Sequence, residues 1–301
     1  MKFSKFFKPA MLTSVAIILL AVVLSLFGRG MNLGLDFAGG LSMPYDLGVS
    51  AAQPDVAAVL GAEYSVSIQG AGKNEALVRI KSVGSEDVQD VQSAVTAKLQ
   101  SAYPNAIPMG DVSYVGPVAG ATLIKNAITS VAIATVLMLI YIAVRFDFHS
   151  GLAAVLALIH DVAVMLAFMV ILRDFIELNS SFIAAALTIV GYSINDTIVI
   201  FDRIRANAKD KPELPRVALV DLSINESLGR TIMTSITTLV TILALYILGV
   251  AAIKEFALPI IVGVIAGTWS SNLLSGYIWA WLEEKFPKKE NTSDDEDEDD
   301  E

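Results

Sequence analysis

One segment places residues able to handle charge inside an otherwise apolar run. Thr188-Ile-Val-Gly191-Tyr-Ser-Ile-Asn195-Asp196-Thr-Ile-Val-Ile-Phe-Asp202-Arg203 sets a carboxylate, Asp196, beside an amide, Asn195. A carboxylate within a membrane-spanning helix costs about 2.5–3.5 kcal/mol on insertion scales, and it usually faces the bundle interior or a watery path. Asp196 is therefore a candidate ion-coupling residue; simple solvation near the membrane surface is the competing reading. Thr188, Tyr192, Asn195 and Asp196 fall at i, i+4, i+7 and i+8, so the spacing predicts a shared polar face. The next apolar segment carries a matching stripe of Arg230, Thr234, Thr237, Thr238 and Thr241.

Depth suggests that the two stripes meet. Asp196 lies near the end of its apolar run, and Arg230 lies just inside the next run from the same side, each roughly 5–8 Å in at 1.5 Å per residue. Arg stays charged whereas Asp can change protonation, so an Asp–Arg pair that breaks on protonation is a minimal proton-driven switch. A static ion pair is the alternative, and for Thr234 and Thr238 the alternative is bonding back to their own helix. His160-Asp161 is a second, less certain ion-path candidate, lying nearer the middle of its own apolar run. Gly263-Val-Ile-Ala-Gly267 is a small-xxx-small ridge that lets helix backbones approach closely, so Gly263 and Gly267 read as packing residues.

Composition excludes several other chemistries. The chain has no cysteine, which removes disulfides, zinc–thiolate sites and thiol nucleophiles. Two histidines, His149 and His160, cannot build a histidine-rich metal centre. Phosphate loops, nucleophile elbows and metal-helix motifs are absent, so no cofactor, metal or catalytic residue is expected. At 54% hydrophobic and 17% charged, the 301 residues are more apolar than a soluble domain, and a multi-span membrane protein is expected. The net charge of −10 is dominated by Asp294–Glu301, eight acidic residues in a row. Such a block reads as a solvated, disordered tail, and no basic run points to nucleic acid.

Six apolar segments position these residues: Ala10–Phe27, Ala121–Val144, Gly151–Leu172, Asn179–Phe201, Leu228–Gly249 and Phe256–Leu282, the last interrupted by Pro259. The first lacks a signal-peptidase pattern and reads as an uncleaved span. Asp202–Ser227, with Pro212 and Pro215, reads as a polar connection. The expected division is an N-terminus at 1–9, a first span at 10–27, a folded domain at 28–120, five further spans within 121–282 and a tail at 283–301. Between the first two spans, strands are predicted at Leu41–Leu47, Tyr64–Gln69, Glu75–Lys81 and Asp111–Val115. Helices are predicted at Gln53–Ala62 and Ser85–Ala102, where Val88, Val91, Val95 and Leu99 repeat on one face and Ser85 would be the N-cap. A turn is expected at Gly70–Asn74. The order β-α-β-β-α-β is that of an α+β ferredoxin-like sandwich. Lys and Arg concentrate in the short segments before the first span and after the second, fourth and sixth, which puts both termini on the cytoplasmic side and the folded domain outside.

Several of these stretches resemble the SecF family. They are Gly34-Leu-Asp-Phe-Ala-Gly-Gly40, Tyr114-Val-Gly-Pro117, Arg145-Phe-Asp147, Gly191–Arg205, Asn225–Thr238 and Gly267-Thr-Trp-Ser-Ser271. The resemblance covers nearly the whole chain from the first span to the sixth. It implies a subunit of the SecDF accessory complex, within the resistance-nodulation-division superfamily, forming a pseudo-symmetric pair with SecD. It further implies use of the proton or sodium gradient to draw unfolded preprotein from the SecYEG channel, with the family's membrane Asp and Arg falling on Asp196 and Arg230. Gly229, Trp269, Ala38 and Leu41 depart from the family pattern without touching that role. A small-molecule or lipid exporter of the same superfamily, or a purely structural subunit, are the alternatives. The expected location is the cell membrane, in contact with lipid.

Overall fold

The computed structural model describes residues 1–69, 74–81, 88–174 and 176–287. Most of the expected Gly70–Asn74 turn, the Ser85 cap and the acidic tail lie outside the described residues. In chain order the elements begin with α1 (Ser4–Leu26), a one-turn α2 (Leu35–Ala38), β1 (Gly40–Asp46), α3 (Gln53–Leu60), β2 (Tyr64–Gln69), β3 (Glu75–Lys81), α4 (Val88–Ala102), β4 (Ile107–Pro108) and β5 (Ser113–Val115). They continue with α5 (Pro117–Arg145), α6 (Phe148–Ile171), α7 (Ser180–Asp210), α8 (Arg216–Leu248), α9 (Ala251–Ser270), a π-helical turn (Ser271–Ser275) and α10 (Gly276–Lys285). Among the described residues, six helical rods are long and apolar enough to cross a membrane. Their length and composition are those of the spans of a multi-pass membrane protein.

The domain between α1 and α5 has a small antiparallel sheet ordered β2-β3-β1-β4, with β5 also paired to β1. Alternation along β1 buries Leu41, Met43 and Tyr45 on one face, where α3 contributes Val56 and Leu60 and α4 contributes Val95 and Leu99. The last strand differs from the one expected at Asp111–Val115. It forms two pieces, with β4 opposite Tyr45 and Asp46 and β5 opposite Gly40–Ser42. The chain leaves the sheet between them at Gly110, whose φ of 69° is one that glycine adopts readily.

The connection expected at Asp202–Ser227 is mostly helix, which corrects the sequence reading. α7 continues to Asp210 and α8 starts at Arg216. The polar residues there hide a periodic apolar side: Ile204 on α7 faces Leu219, Val220 and Ile224 on α8 in one core. Asn207 donates to Ser223 at 3.1 Å and to Glu226 at 2.7 Å, and Arg203 donates to Glu226 at 2.6 Å. The N-terminal segment is helical for a related reason. Asp221 on α8 accepts from the Ser4 backbone N–H and hydroxyl, both at 2.8 Å, so α1 starts at Ser4 rather than at its first apolar run.

α7 packs closely on α9. A Cβ on Gly263 would lie 2.4 Å from Ile189 Cγ1, and one on Gly267 would lie 3.1 Å from Ser193 Cβ. Both glycines therefore stand where two helix backbones come together.

Candidate functional site

Asp196 lies on the buried side of α7, only 2% exposed, in line with Ile189, Ser193 and Ile200. Its Oδ2 has no hydrogen-bond partner among the described residues. An unpaired buried carboxylate oxygen is costly, so this atom is a natural place for a proton or a cation. Asn195 does not share that side. It is exposed, as are Gly191 and Thr188 one and two turns away. The predicted common face is therefore split, because neighbouring residues on a helix point about 100° apart. Tyr192 is half-buried and donates its hydroxyl to Ser235 on α8 at 3.2 Å.

Arg230 is exposed on α8, and among the described residues no ion pair joins it to Asp196. Their depths match: each stands about 14 residues, or roughly 21 Å of helix, from the turn that joins α7 to α8. Thr234 donates to the Arg230 carbonyl at 2.7 Å and Thr238 to the Thr234 carbonyl at 2.9 Å. The hydroxyl protons of that stripe serve their own helix.

Asp161 on α6 is wholly buried and sits at a three-helix junction. Its Oδ2 accepts from Ser193 of α7 at 2.5 Å and from Ser270 of α9 at 3.0 Å, and its Oδ1 lies 3.0 Å from His160 Nδ1. Next to it, Thr197 and Ser271 share a 2.9 Å hydroxyl contact, and Ser271 donates to the Ser193 carbonyl at 3.3 Å. Asp161 and Asp196 thus flank one hydroxyl-rich seam on α7, since Ser193 and Thr197 bracket Asp196 in the chain. Sequence reasoning missed Ser193, Thr197, Ser270 and Ser271. The only signal for them was the run Ser270-Ser271-Asn272 inside an apolar helix. Just there the sixth rod takes its π-helical turn, a feature that recurs at functional sites.

This architecture has known relatives. Residues 94–285 match the family described as "Protein export membrane protein SecD/SecF, C-terminal", and residues 24–43 match the "SecD/SecF GG Motif". The chain is 38% identical over 262 residues to the protein translocase subunit SecF of Rickettsia felis, covering 86% of this chain and 84% of that one. The chain belongs to the SecF family. A second SecF, from Rhodothermus marinus, is 38% identical over 273 residues, covering 88% of this chain and 87% of its relative. Among solved structures, the SecDF crystal structure from Thermus thermophilus superposes with a TM-score of 0.75 at 36% identity, over 93% of this chain. A SecDF structure in the "Super-membrane-facing form" gives 0.68 at 35% identity. This SecF-family chain spans 38% and 39% of those two longer chains. The GG-motif match places Asp36, Gly39 and Gly40 within a recognised family element, and the C-terminal match takes in Asp161, Asp196 and Arg230.

Proposed function

We propose that this chain works with a SecD partner as an ion-driven aid to preprotein export through SecYEG. The observation that carries the reading is Asp196, a buried carboxylate with an unpartnered oxygen on the same helix as the Asp161–Ser193 contact and as far from the α7–α8 turn as Arg230. The proton, or sodium in its place, binds at Asp196 and alters its attraction to Arg230, which shifts α7 against α8. Each charge crossing a potential of 100 mV releases about 2.3 kcal/mol, so repeated cycles can bias the motion of an emerging chain. The β2-β3-β1-β4 order supports a ferredoxin-like reading of the domain between α1 and α5. The Lys and Arg bias supports an outward-facing domain with cytoplasmic termini.

The test is export of a secreted reporter in cells whose only copy is Asp196→Asn or Arg230→Met, with membrane level and SecD co-purification measured in parallel. Lost export with normal level and pairing is expected for both. Normal export with both variants would sink ion coupling at this site. Export measured against external pH and sodium then separates the two ions.

A further inference from the structure

We propose that the outer end of α7 is the joint through which the folded domain and the ion-coupling helix move as one body, with Asp36, Arg79 and Lys81 as its positioning residues. This rests on the assignment of Asp196 above.

Three separate attachments converge on residues 177–180. First, Asp36 of α2 accepts from the Ser180 backbone N–H at 2.9 Å and from the Ser180 hydroxyl. Ser180 is the first residue of α7, and Asn179 makes no side-chain cap of its own. A carboxylate from the outer segment therefore caps the helix, where its charge also suits the helix dipole. Second, the strand-like segment after α1 pairs with the loop before α7: Gly34 N–H donates to the Leu178 carbonyl and Leu178 N–H to the Asn32 carbonyl, both at 2.7 Å. Third, β3 reaches down with two cations. Arg79 lies 3.4 Å from Glu177 and 3.5 Å from Glu255 at the start of the sixth rod, and Lys81 lies 3.5 Å from Glu177. Glu177 and Arg79 are largely shielded, at 13% and 17% side-chain exposure, so water and salt weaken this cluster less than an exposed pair.

The domain also touches the membrane bundle near the start of α5. Gly120 does abut the Phe37 carbonyl, but the polar ties meet at α7. From Ser180 to Asp196 the helix is unbroken over roughly 24 Å, so a shift at the carboxylate is delivered to the domain without a hinge.

The experiment uses the full chain with its SecD partner. Arg79→Gln, Lys81→Gln and Glu177→Gln are combined, and two readouts are taken: reporter export in cells, and ion uptake by vesicles carrying the complex. The joint predicts a several-fold loss of export with ion uptake retained. Export at the wild-type level, or ion uptake lost together with export, overturns the joint. Failure of the Asp196 assignment looks different, because Asp196→Asn would then keep both readouts. If the triple variant does not accumulate, Asp36→Cys with Ser180→Cys takes its place in this cysteine-free chain. Export should be low with the pair reduced and regained when it is oxidised. Equal export in the two redox states overturns the proposal.

Discussion

Ser193 Oγ on α7 lies 2.5 Å from the wholly buried Oδ2 of Asp161 on α6, and Ser270 of α9 adds a second donor to the same atom at 3.0 Å. One carboxylate oxygen thus holds three spans in register. Asp161→Leu would remove the acceptor and strand the buried Ser193 hydroxyl, a cost of about 1–3 kcal/mol, whereas Ser270 keeps the Gly267 carbonyl at 3.2 Å. Asp161→Asn retains a carbonyl oxygen and should lose less. Thermal unfolding of the detergent-solubilised protein should rank wild type above Asn and Asn above Leu. Equal midpoints for Leu and wild type would show that the junction does not hold the bundle together.

The α7–α9 contact makes a steric prediction. With Ile189 Cγ1 only 2.4 Å from where a Gly263 Cβ would sit, Gly263→Val forces the helices apart. Overpacking of this kind usually destabilises by about 1–3 kcal/mol. Gly267→Ala, whose added atom would meet Ser193 Cβ at 3.1 Å, should be milder. Pairing Gly263→Val with Ile189→Ala should recover part of the loss, and a double-mutant cycle measures the coupling. Strict additivity of the two changes would rule out the contact as the cause.

What could be read beforehand was local. Hydropathy marks six spans because each is a continuous run, and alternation marks β1, β2 and β3 because strands have a period of two. The extension of α7 to Asp210 was hidden, since Arg203, Arg205 and Lys209 mask the buried Ile204 and Asn207 between them. Within the site, Asp196 and Asp161 stood out as carboxylates in apolar surroundings. Their surroundings did not, because the contacts of Asp161 with Ser193 and Ser270 join residues 32 and 109 positions away. Nothing in the spacing of one helix encodes the hydroxyl that another helix offers. The same holds for Asp36 and Ser180, 144 positions apart. Asp196 and Arg230 stand equally far from the α7–α8 turn, but spacing could not reveal that Arg230 points to the exposed side of α8.

Gly40 opens β1 with φ of 142°, and a Cβ there would sit 2.1 Å from the Ile80 carbonyl oxygen. Gly40→Ala is thus strained in backbone and blocked in space, so the β1–β3 pairing that begins at Gly40 and Lys81 must part. Hydrogen exchange of the full chain should show faster exchange at the Gly40–Ser42 end of β1, with the Tyr45–Asp46 end less affected. Uniform protection along β1 would mean that the strand tolerates the side chain. Because Lys81 belongs to the joint with Glu177, a fall in export is expected as well.

The last prediction concerns pH in the domain between α1 and α5. The Tyr45 side chain is fully buried; its hydroxyl lies 2.9 Å from Thr96 Oγ1 and donates to the Gln92 carbonyl at 3.2 Å. Burial raises its pKa above the ordinary tyrosine value; the Thr96 hydroxyl opposes that and nearby Tyr64 adds to it. Because the folded state disfavours the phenolate, the stability tied to the neutral phenol is fully present below the unfolded tyrosine pKa of about 10 and is lost as pH climbs above it. Tyr45→Phe loses the hydroxyl's bonds at every pH, a cost of about 0.5–1.5 kcal/mol, but it cannot lose stability by ionising there. The stability difference between wild type and Tyr45→Phe should therefore be constant at neutral and mildly alkaline pH and shrink above about pH 10. In the ultraviolet titration, the phenolate signal that Tyr45→Phe removes should be the portion appearing late, after the exposed tyrosines have ionised. A missing component at the ordinary tyrosine value would show that Tyr45 is reached by solvent and that the sheet core is looser than this packing requires.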